Sequence, residues 1–292
     1  MTHTRCRRML VLAGVAGVVL LGGVAGQRWW VQRGDGSLER VRAAGRLRIG
    51  YAVEAPYAML DARGQVTGES PETARRIAAR LALPPIEWVQ VPFAELIPSL
   101  LERRFDLVAA GLFVTGPRAR QVRFSDPTVR VLPGLLVRRG NPKHLGGYRA
   151  LAGRADARVA VLEGSVEQQR LRGFGVAPEA LLAVPDLQAG RAAVATGAAD
   201  ALALSLPTVR GVAGAAPERF EALADEVAPG ASRELDFVAF AFHRDDAQLQ
   251  QAWNAAQVGW IGSAEHARTV APFGFGPAEL AAGVRLEDVL AP

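Results

Sequence analysis

The sequence predicts an α/β fold of two lobes, each built on a doubly wound sheet that is mostly parallel. Short apolar strands alternate with amphipathic helices from residue 47 onward, and a second series of the same kind begins at Gly134. Such alternation is typical of parallel sheets that carry helices on both faces. Roughly 265 residues follow the N-terminal apolar segment, which is enough for one large or two medium domains.

The first series predicts the elements of one lobe. Ser37 can cap a short helix that Gly45 ends, and Ser70 can cap a longer helix whose first turn contains Pro71. The predicted elements are helix 38–44, strand 47–52, a turn at 61–64, helix 71–83, strand 86–91, helix 93–103 and strand 106–110.

The second series predicts the other lobe and a return to the first. Its elements are a strand from Gly134, strand 159–162, a helix from Ser165, strand 180–184, helix 187–195 and strand 201–204. The chain then leads back to the first lobe through strand 237–242, helix 246–262 and helix 264–270.

These series define the predicted lobes and the hinge between them. We assign residues 37–130 and 238–292 to lobe 1 and residues 131–237 to lobe 2. The chain crosses between the lobes twice, at 128–133 and at 234–238. Two crossing segments predict a two-strand hinge, about which the lobes can close on a ligand.

The N-terminus predicts export from the cytoplasm. Three arginines precede an uninterrupted apolar run over 9–26 that ends in small residues, the layout of a secretory signal peptide. The run is nearly long enough to span a bilayer, so a retained anchor is the alternative. We assign 1–26 to the signal peptide or anchor and 27–36 to a tether. The expected location is the periplasm or the extracellular face of the cytoplasmic membrane.

Charge and composition argue against nucleic acid, metal and cofactor as partners. The chain has 34 basic and 29 acidic residues; without the three arginines of segment 1–26, 31 basic residues remain and the net charge falls from +5 to +2. The remaining arginines are scattered, whereas a phosphate backbone requires a concentrated basic surface. No metal-ligand spacing or Ser/His/Asp grouping occurs, and we expect His144, His243 and His266 at the surface. Cys6, the single cysteine, precedes the apolar run, so the exported chain would be free of thiols.

Two short motifs predict a pocket for a small molecule. Glu54 and Tyr57 directly follow the first apolar strand, and Phe113, Thr115 and Arg118 follow a later one. An aromatic face attracts a diffuse cation by about 0.5–2 kcal/mol, and a guanidinium binds a carboxylate through two parallel hydrogen bonds. The expected ligand therefore has both a cationic face and a carboxylate.

Six further motifs lie between residues 47 and 275. They are Leu-Arg-Ile-Gly-Tyr at 47–51, Arg-Phe-Asp-Leu-Val-Ala-Ala-Gly at 104–111, Thr-Gly-Pro-Arg at 115–118, Val-Arg-Phe-Ser-Asp-Pro at 122–127, Gly-Ser at 164–165 and Gly-Ala-Ala-Asp-Ala-Leu at 197–202. Together they resemble the family 3 extracellular solute-binding proteins, the receptors of ABC importers for polar amino acids and opines. The resemblance implies the two-lobed, type II periplasmic-binding-protein fold.

Within that family, the chain is similar to the receptors for ectoine and hydroxyectoine, in which three aromatic rings and a glutamate enclose a delocalised amidinium. The resemblance implies that Glu54 is the acid, that Tyr57, Phe93 and Phe113 are the rings, and that Arg118 pairs with the ligand carboxylate. The remaining predicted ligand-binding residues are Gly111, Thr115, Gly164, Ser165, Val166 and Ser205. Of these, Ser165 and Val166 begin a predicted helix and can direct backbone N–H groups at the carboxylate.

Two departures from the amino-acid receptors of the family affect the predicted ligand. Ser205 stands where those receptors usually carry an acid that pairs with an α-ammonium group. A hydroxyl cannot balance an ammonium charge in a poorly hydrated cleft, so ordinary α-amino acids are disfavoured. Tyr57 stands where the ectoine receptors have phenylalanine, and its hydroxyl requires a partner that the sequence does not identify.

We therefore expect a monomeric receptor that captures an ectoine-like compatible solute for osmoprotection and delivers it to the membrane subunits of an ABC permease. We expect no catalytic activity and no cofactor. One alternative is a receptor for a polar or cationic amino acid or a betaine. Another is a cyclohexadienyl-dehydratase-like enzyme on the same fold, with Glu54 as its acid or base. A third is a ligand-sensing domain attached to a membrane partner, if the N-terminal apolar run is retained.

Overall fold

The computed structural model describes residues 34–224 and 235–291. The predicted signal or anchor at 1–26 lies outside the described residues, as does the tether up to residue 33. Across the two described stretches, we find no helix that combines the length and the apolar character of a membrane span.

Helices and strands alternate along the described chain. The α-helices are α1 Ser37–Ala43, α2 Glu69–Arg80, α3 Leu96–Leu101, α4 Gly116–Ala119, α5 Val166–Gly173, α6 Leu187–Thr196, α7 Leu206–Ala215, α8 Ala247–Gln257, α9 Ala264–Val270 and α10 Leu286–Leu290. The strands are β1 Leu47–Tyr51, β2 Met59–Leu60, β3 Val66–Thr67, β4 Ile86–Gln90, β5 Leu107–Val108, β6 Arg123–Phe124, β7 Val129–Val131, β8 Pro133–Arg138, β9 Val159–Leu162, β10 Leu181–Val184, β11 Ala201–Ser205, β12 Phe220–Ala224, β13 Asp236–Val238 and β14 Ala241–Phe242. Short 3₁₀ helices occur at Phe93–Glu95, Arg149–Leu151, Pro178–Ala180 and Ala271–Phe273.

The strands form two five-stranded mixed sheets. The first has the order β4-β1-β5-β14-β6 and the second the order β10-β9-β11-β8-β12. In each sheet three neighbouring strands pair in parallel, and the first strand after a chain crossing, β14 or β8, runs antiparallel to both of its neighbours. The predicted two-lobed α/β fold is therefore confirmed, with sheets that are parallel only in part.

The hinge is an antiparallel pair of strands between the two sheets. β7 and β13 pair with Val131 opposite Asp236 and Val129 opposite Val238. The single strand predicted over 237–242 is wrong, because its first residues belong to this pair and its last to the first sheet. Between the two pieces, Ser125 bonds to Phe240 in both directions, at 2.9 and 3.1 Å. An unbroken apolar run carries no signal for such a change of sheet.

The start of α2 differs from the prediction and fixes the loop before it. The helix begins at Glu69 rather than after Ser70, and its N-cap is Gly68, with a φ of 126°. The N–H groups of Glu69 and Ser70 donate to the carbonyls of Pro56 and Tyr57, at 3.1 and 3.0 Å. A side chain on Gly68 would approach the Tyr57 carbonyl oxygen to 2.4 Å. The loop that carries Tyr57 therefore caps the helix, in place of the predicted serine.

Two of the three histidines predicted at the surface are buried. His243 and His266 are enclosed, whereas His144 is exposed. The His266 ring lies 4.7 Å from that of Trp260, and its Nδ1 accepts the N–H of Gly262. Burial lowers the pKa of His266 to about 4, so it stays neutral at physiological pH. The histidine prediction fails because a lone histidine carries no periodic signal of burial.

The apolar core follows the two sheets, and a further cluster lies where they meet. Each sheet is covered on both faces by buried aliphatic and aromatic side chains. The additional cluster contains Tyr57 and Phe113 from the first lobe, Val131 and Val238 from the hinge, and Val166 from the second lobe. The candidate site residues thus lie at the junction of both lobes and the hinge.

Candidate ligand-binding cleft

The cleft lies where the carboxyl ends of parallel strands from the two sheets face each other. β1 leads into the loop of Glu54, β9 leads to Gly164, and β11 ends at Ser205. This edge of an open α/β sheet is where ligands usually bind. A groove of about 670 Å³ runs between the lobes, with Glu54 and Phe93 on one wall and residues of the second lobe on the other.

The three predicted aromatic rings are arranged as a contacting pair and a separate third ring. Tyr57 and Phe113 meet edge to face, with ring centroids 6.2 Å apart. Phe275 lies 5.4 Å from Tyr57 on another side and was not assigned to the predicted cage. Phe93 instead faces Arg118, whose guanidinium carbon lies 5.7 Å from the ring centroid. A planar cation would therefore meet one paired aromatic wall and one single ring.

Gly111 forms the seat of the Tyr57 ring. Its φ is +67°, and a side chain at this position would place a Cβ 2.4 Å from Tyr57 Cγ. The Gly111 N–H donates to Ser70 Oγ at 3.1 Å, so it is already used within the first lobe. In this structure Gly111 positions the Tyr57 ring, and its predicted contact with a ligand stays a prediction.

We expect Gly111→Ala to lower the free energy of unfolding by about 3 kcal/mol and to weaken ligand binding, because it combines backbone strain with a collision against Tyr57. Thermal unfolding and calorimetry of the purified variant measure both effects. Gly211→Ala is the control, since a Cβ there meets no atom within 4 Å and alanine favours the helix. Wild-type stability and affinity in the Gly111 variant would contradict this assignment.

Arg118 is buried at the centre of the site and contacts both lobes. Thr115 caps α4 and accepts the Arg118 N–H at 3.3 Å, which fixes the backbone. The guanidinium donates from Nη1 to the Phe113 carbonyl at 2.9 Å and from Nη2 to the Gly164 carbonyl at 3.1 Å. Burial lowers its pKa to about 10, so the side chain remains cationic at neutral pH.

The second lobe contributes the start of α5 beside Arg118. Ser165 is the N-cap, and its Oγ accepts the N–H of Gln168 at 3.2 Å. The Ser165 N–H, predicted to face the ligand carboxylate, donates to the Leu162 carbonyl at 3.1 Å. Val166 is the first helical residue and packs in the same cluster as Tyr57. The helix start thus borders the site, with Gly164 presenting its carbonyl to it.

A chain of hydroxyl groups closes the site between the lobes. Tyr57 Oη donates to Ser205 Oγ at 3.0 Å, and Ser205 lies 3.0 Å from Thr208 Oγ1. Thr208 in turn donates to Glu54 Oε1 at 3.3 Å. Ser205 therefore supplies the partner that the tyrosine hydroxyl requires. The loop of the first lobe is tied at two points to the start of α7.

Glu54 lies inside this network in a poorly hydrated environment. Its pKa is raised to about 8, first by burial and then by the nearby carboxylate of Glu167. The hydrogen bond from Thr208 and the charge of Arg118 act in the opposite direction. A cation placed beside Glu54 would restore its ionised form, which is the behaviour expected of a ligand counter-charge.

Comparison with known proteins identifies the family. Residues 47–272 match the sequence model of the family described as bacterial extracellular solute-binding proteins, family 3. The chain belongs to this family. A probable amino-acid ABC transporter periplasmic-binding protein of Sinorhizobium fredii is 30% identical over 84% of this chain and 82% of its own length. The lysine/arginine/ornithine-binding periplasmic protein of Escherichia coli is 28% identical over 72% of this chain and 80% of its own.

Among solved structures, EhuB in complex with hydroxyectoine is similar to this solute-binding protein along most of its length. The TM-score is 0.79 and the sequence identity 28%, with 89% of this chain and 99% of EhuB covered. The family resemblance predicted from the motifs is confirmed. The protein is a solute-binding component of an ABC transporter for amino acids or similar ligands.

Sequence reasoning missed three side chains that border the site of this receptor. They are Glu167 in the first turn of α5, Thr208 in the first turn of α7, and Phe275 beside Tyr57. Neither of the first two carried a local signal of a ligand role, because an acid in a first helical turn is common and the helix that carries Thr208 was not predicted. Phe275 follows α9 by five residues, and its approach to Tyr57 depends on long-range packing.

Proposed function

We propose that this receptor captures a small zwitterion of the ectoine class outside the cytoplasm, as a monomer, and delivers it to an ABC permease. The observation that carries the proposal is the placement of Arg118. Its buried guanidinium, 6% exposed, lies between the Phe113 carbonyl of the first lobe and the Gly164 carbonyl of the second, next to the Phe93 ring that borders the groove. The similarity to EhuB in complex with hydroxyectoine supports the same ligand class.

The arrangement matches the two ends of such a ligand. A delocalised cation is weakly hydrated and can leave water for an aromatic wall with a carboxylate beside it. A ligand carboxylate can bind the guanidinium, which has further N–H donors beyond the two used by Phe113 and Gly164. The proposed site therefore combines a cation cage with a carboxylate clamp beside it, since Arg118 contacts both Phe93 and Phe113.

Lobe closure is the proposed mechanism of capture. The bonds of Tyr57 to Ser205, Thr208 to Glu54 and Arg118 to Gly164 all join the two lobes, and each involves a residue of the proposed site. A ligand that contacts both lobes stabilises the closed arrangement by its differential affinity for that state. The permease would then recognise the closed receptor.

A receptor for a cationic amino acid is the second candidate. The observation that favours it is Glu167, a second carboxylate near Glu54 and Arg118. The similarity to a lysine/arginine/ornithine-binding protein agrees with that reading. Ser205 weighs against it, because its hydroxyl is already bonded to Tyr57 and Thr208 and cannot balance an α-ammonium group.

The test is a calorimetric screen of the purified protein against ectoine, hydroxyectoine, glycine betaine, lysine, arginine and glutamine. We expect hydroxyectoine or ectoine to bind most tightly and to raise the melting temperature. The recovered ligand should be chemically unchanged, whereas product formation would favour the dehydratase-like alternative. Tightest binding of arginine or lysine would overturn the proposed ligand class.

We expect Phe93→Ala and Phe113→Ala each to weaken binding of the preferred solute about tenfold, because each removes an aromatic face from the cation or from Arg118. Titration calorimetry measures the change. Phe174→Ala is the control, since that ring lies at the other end of α5, under Arg149. Wild-type affinity in both cleft variants would show that the cation binds elsewhere.

A further inference from the structure

Glu167 is a buried carboxylate whose charge the proposed function does not use. It lies in the first turn of α5, is 4% exposed, and directly follows Val166, which packs with Tyr57 and Phe113. Three residues before it, Gly164 accepts the bond from Arg118. In residues 34–224 and 235–291, no basic group lies within 4.0 Å of the carboxylate of Glu167 or that of Glu54.

The charged groups around Glu167 come from every element packed against it. Glu54 faces it from the loop after β1, Arg118 from α4, Arg170 from α5 itself and Asp236 from β13. Arg170 and Asp236 form a two-bond ion pair, at 2.6 and 2.9 Å, which carries no net charge, although Asp236 acts more strongly on Glu167 than Arg170 does. What remains among the described groups is two carboxylates, Glu54 and Glu167, against the one guanidinium of Arg118.

A zwitterion does not change that balance. Its cation and its carboxylate add equal and opposite charges, so a closed cleft would keep one negative charge in excess. A buried carboxylate without a partner is costly, and the usual outcome is that the group binds a proton. When the lobes open, water can hydrate both acids and the excess charge is tolerated.

The two acids differ in which of them would keep the proton. Glu54 accepts a bond from Thr208 and lies beside the aromatic pair, where the ligand cation is placed. Glu167 has the N–H of its own residue as its hydrogen-bond donor and the charge of Asp236 nearby. Burial and Asp236 raise the pKa of Glu167 to about 7 in the closed, ligand-free protein. The ligand cation favours ionisation of Glu54 and leaves the proton to Glu167.

We infer, building on the proposed function, that Glu167 is a ligand-site acid that determines which net charge of ligand the closed cleft accepts. A zwitterion binds together with one proton on Glu167, whereas a ligand of net charge +1 binds with Glu167 ionised. Glu167 is thus a specificity-determining residue that couples capture of the solute to pH.

The experiment is titration calorimetry with hydroxyectoine at pH 6, 7 and 8, each in two buffers of different ionisation enthalpy. In the closed cleft the carboxyl of Glu167 keeps its proton up to a pKa of about 7, whereas a hydrated glutamate releases it near 4.5. We therefore expect uptake of most of one proton at pH 6, declining toward pH 8, and affinity about tenfold weaker at pH 8 than at pH 6.

Variants separate Glu167 from general effects of charge. Glu167→Gln should abolish the proton uptake and give the same affinity at pH 6 and pH 8. Glu163→Gln is the matched control, because Glu163 is an exposed acid that directly follows β9. That variant should keep the uptake and the pH dependence of the wild type.

Arginine, with net charge +1, distinguishes failure of the inference from failure of the proposed function. Hydroxyectoine that binds without proton uptake, or an uptake that persists in Glu167→Gln, overturns the inference and leaves the proposed function intact. If arginine binds without proton exchange and hydroxyectoine does not bind, the proposed ligand class fails. The inferred dependence of Glu167 protonation on ligand charge is then supported. Binding of neither probe overturns both.

Discussion

Arg118→Ala is expected to weaken binding of the preferred solute by at least about a hundredfold, the largest effect of any substitution in the cleft. The side chain is the proposed partner of the ligand carboxylate. It also donates to the carbonyls of Phe113 and Gly164, which would lose their bonds. Loss of one partner of a desolvated charge pair typically costs about 2–5 kcal/mol, or about 30-fold to several thousandfold in affinity, and the two lost carbonyl bonds place Arg118→Ala above the lower end of that range. Titration calorimetry with the tightest ligand of the screen measures the loss.

Two further variants define what Arg118 contributes. Arg118→Lys keeps the charge but not the planar fork, so an intermediate loss of about tenfold is expected. Arg120→Ala removes an exposed arginine that flanks the same short helix and should leave the affinity unchanged. If the folded Arg118→Ala protein binds as tightly as the wild type, the carboxylate clamp lies elsewhere.

The local part of this site was accessible from the sequence. Glu54, Tyr57 and Arg118 follow strands that the apolar pattern marks, and the carboxyl ends of such strands meet at one edge of a sheet. The partner of the Tyr57 hydroxyl was not accessible, because Ser205 is 148 residues away along the chain. Pairing across the cleft depends on how the lobes close, which no local pattern encodes.

Glu167 shows a different limit of sequence reasoning. An acid in the first turn of a helix is usually explained by the helix dipole and by the free N–H groups of that turn. Its position one residue past Val166 therefore carried no signal of a ligand role. The burial of its carboxylate within range of Glu54 and Arg118 is a property of two lobes in contact.

The helices and strands were predicted best where the hydrophobic periodicity agreed with the residues that start and end such elements. Strand 159–162 and helix 264–270 were predicted at the bounds that β9 and α9 have. The start of α2 was misplaced because Gly68, with no side chain, allows the loop of Tyr57 to reach the helix end. A serine followed by proline is a good local cap signal, and here a tertiary contact overrides it.

The buried carboxyl group of Glu69 leads us to expect that the ligand-free protein loses stability as the pH rises. Glu69 is 0% exposed and accepts bonds from Ser70 Oγ at 2.7 Å and from Thr128 Oγ1 at 3.0 Å. These bonds join the start of α2 to the segment that leads into the hinge strand β7. Burial raises the pKa of Glu69 from 4.5 to about 7, in spite of the hydroxyl donors.

A raised carboxyl pKa means that the folded state binds the proton more tightly than the unfolded state. The contribution of Glu69 to the free energy of unfolding is therefore complete below pH 4.5 and is lost as the pH rises through about 7. The difference corresponds to about 3 kcal/mol. We expect Glu69 alone to lower the free energy of unfolding in urea by about 2.5 kcal/mol between pH 5 and pH 8.5, in addition to the contributions of Glu54 and Glu167.

Glu69→Gln should remove this part of the pH dependence, because the amide is neutral and can still bond to both hydroxyl groups. Glu95→Gln, at an exposed position, should retain the profile of the wild type. The difference between the wild-type and Glu69→Gln profiles measures the contribution of Glu69 alone, since other buried acids are common to both. Parallel pH profiles for the wild type and Glu69→Gln would show that the Glu69 carboxyl is hydrated and that its burial does not govern the pH dependence of stability.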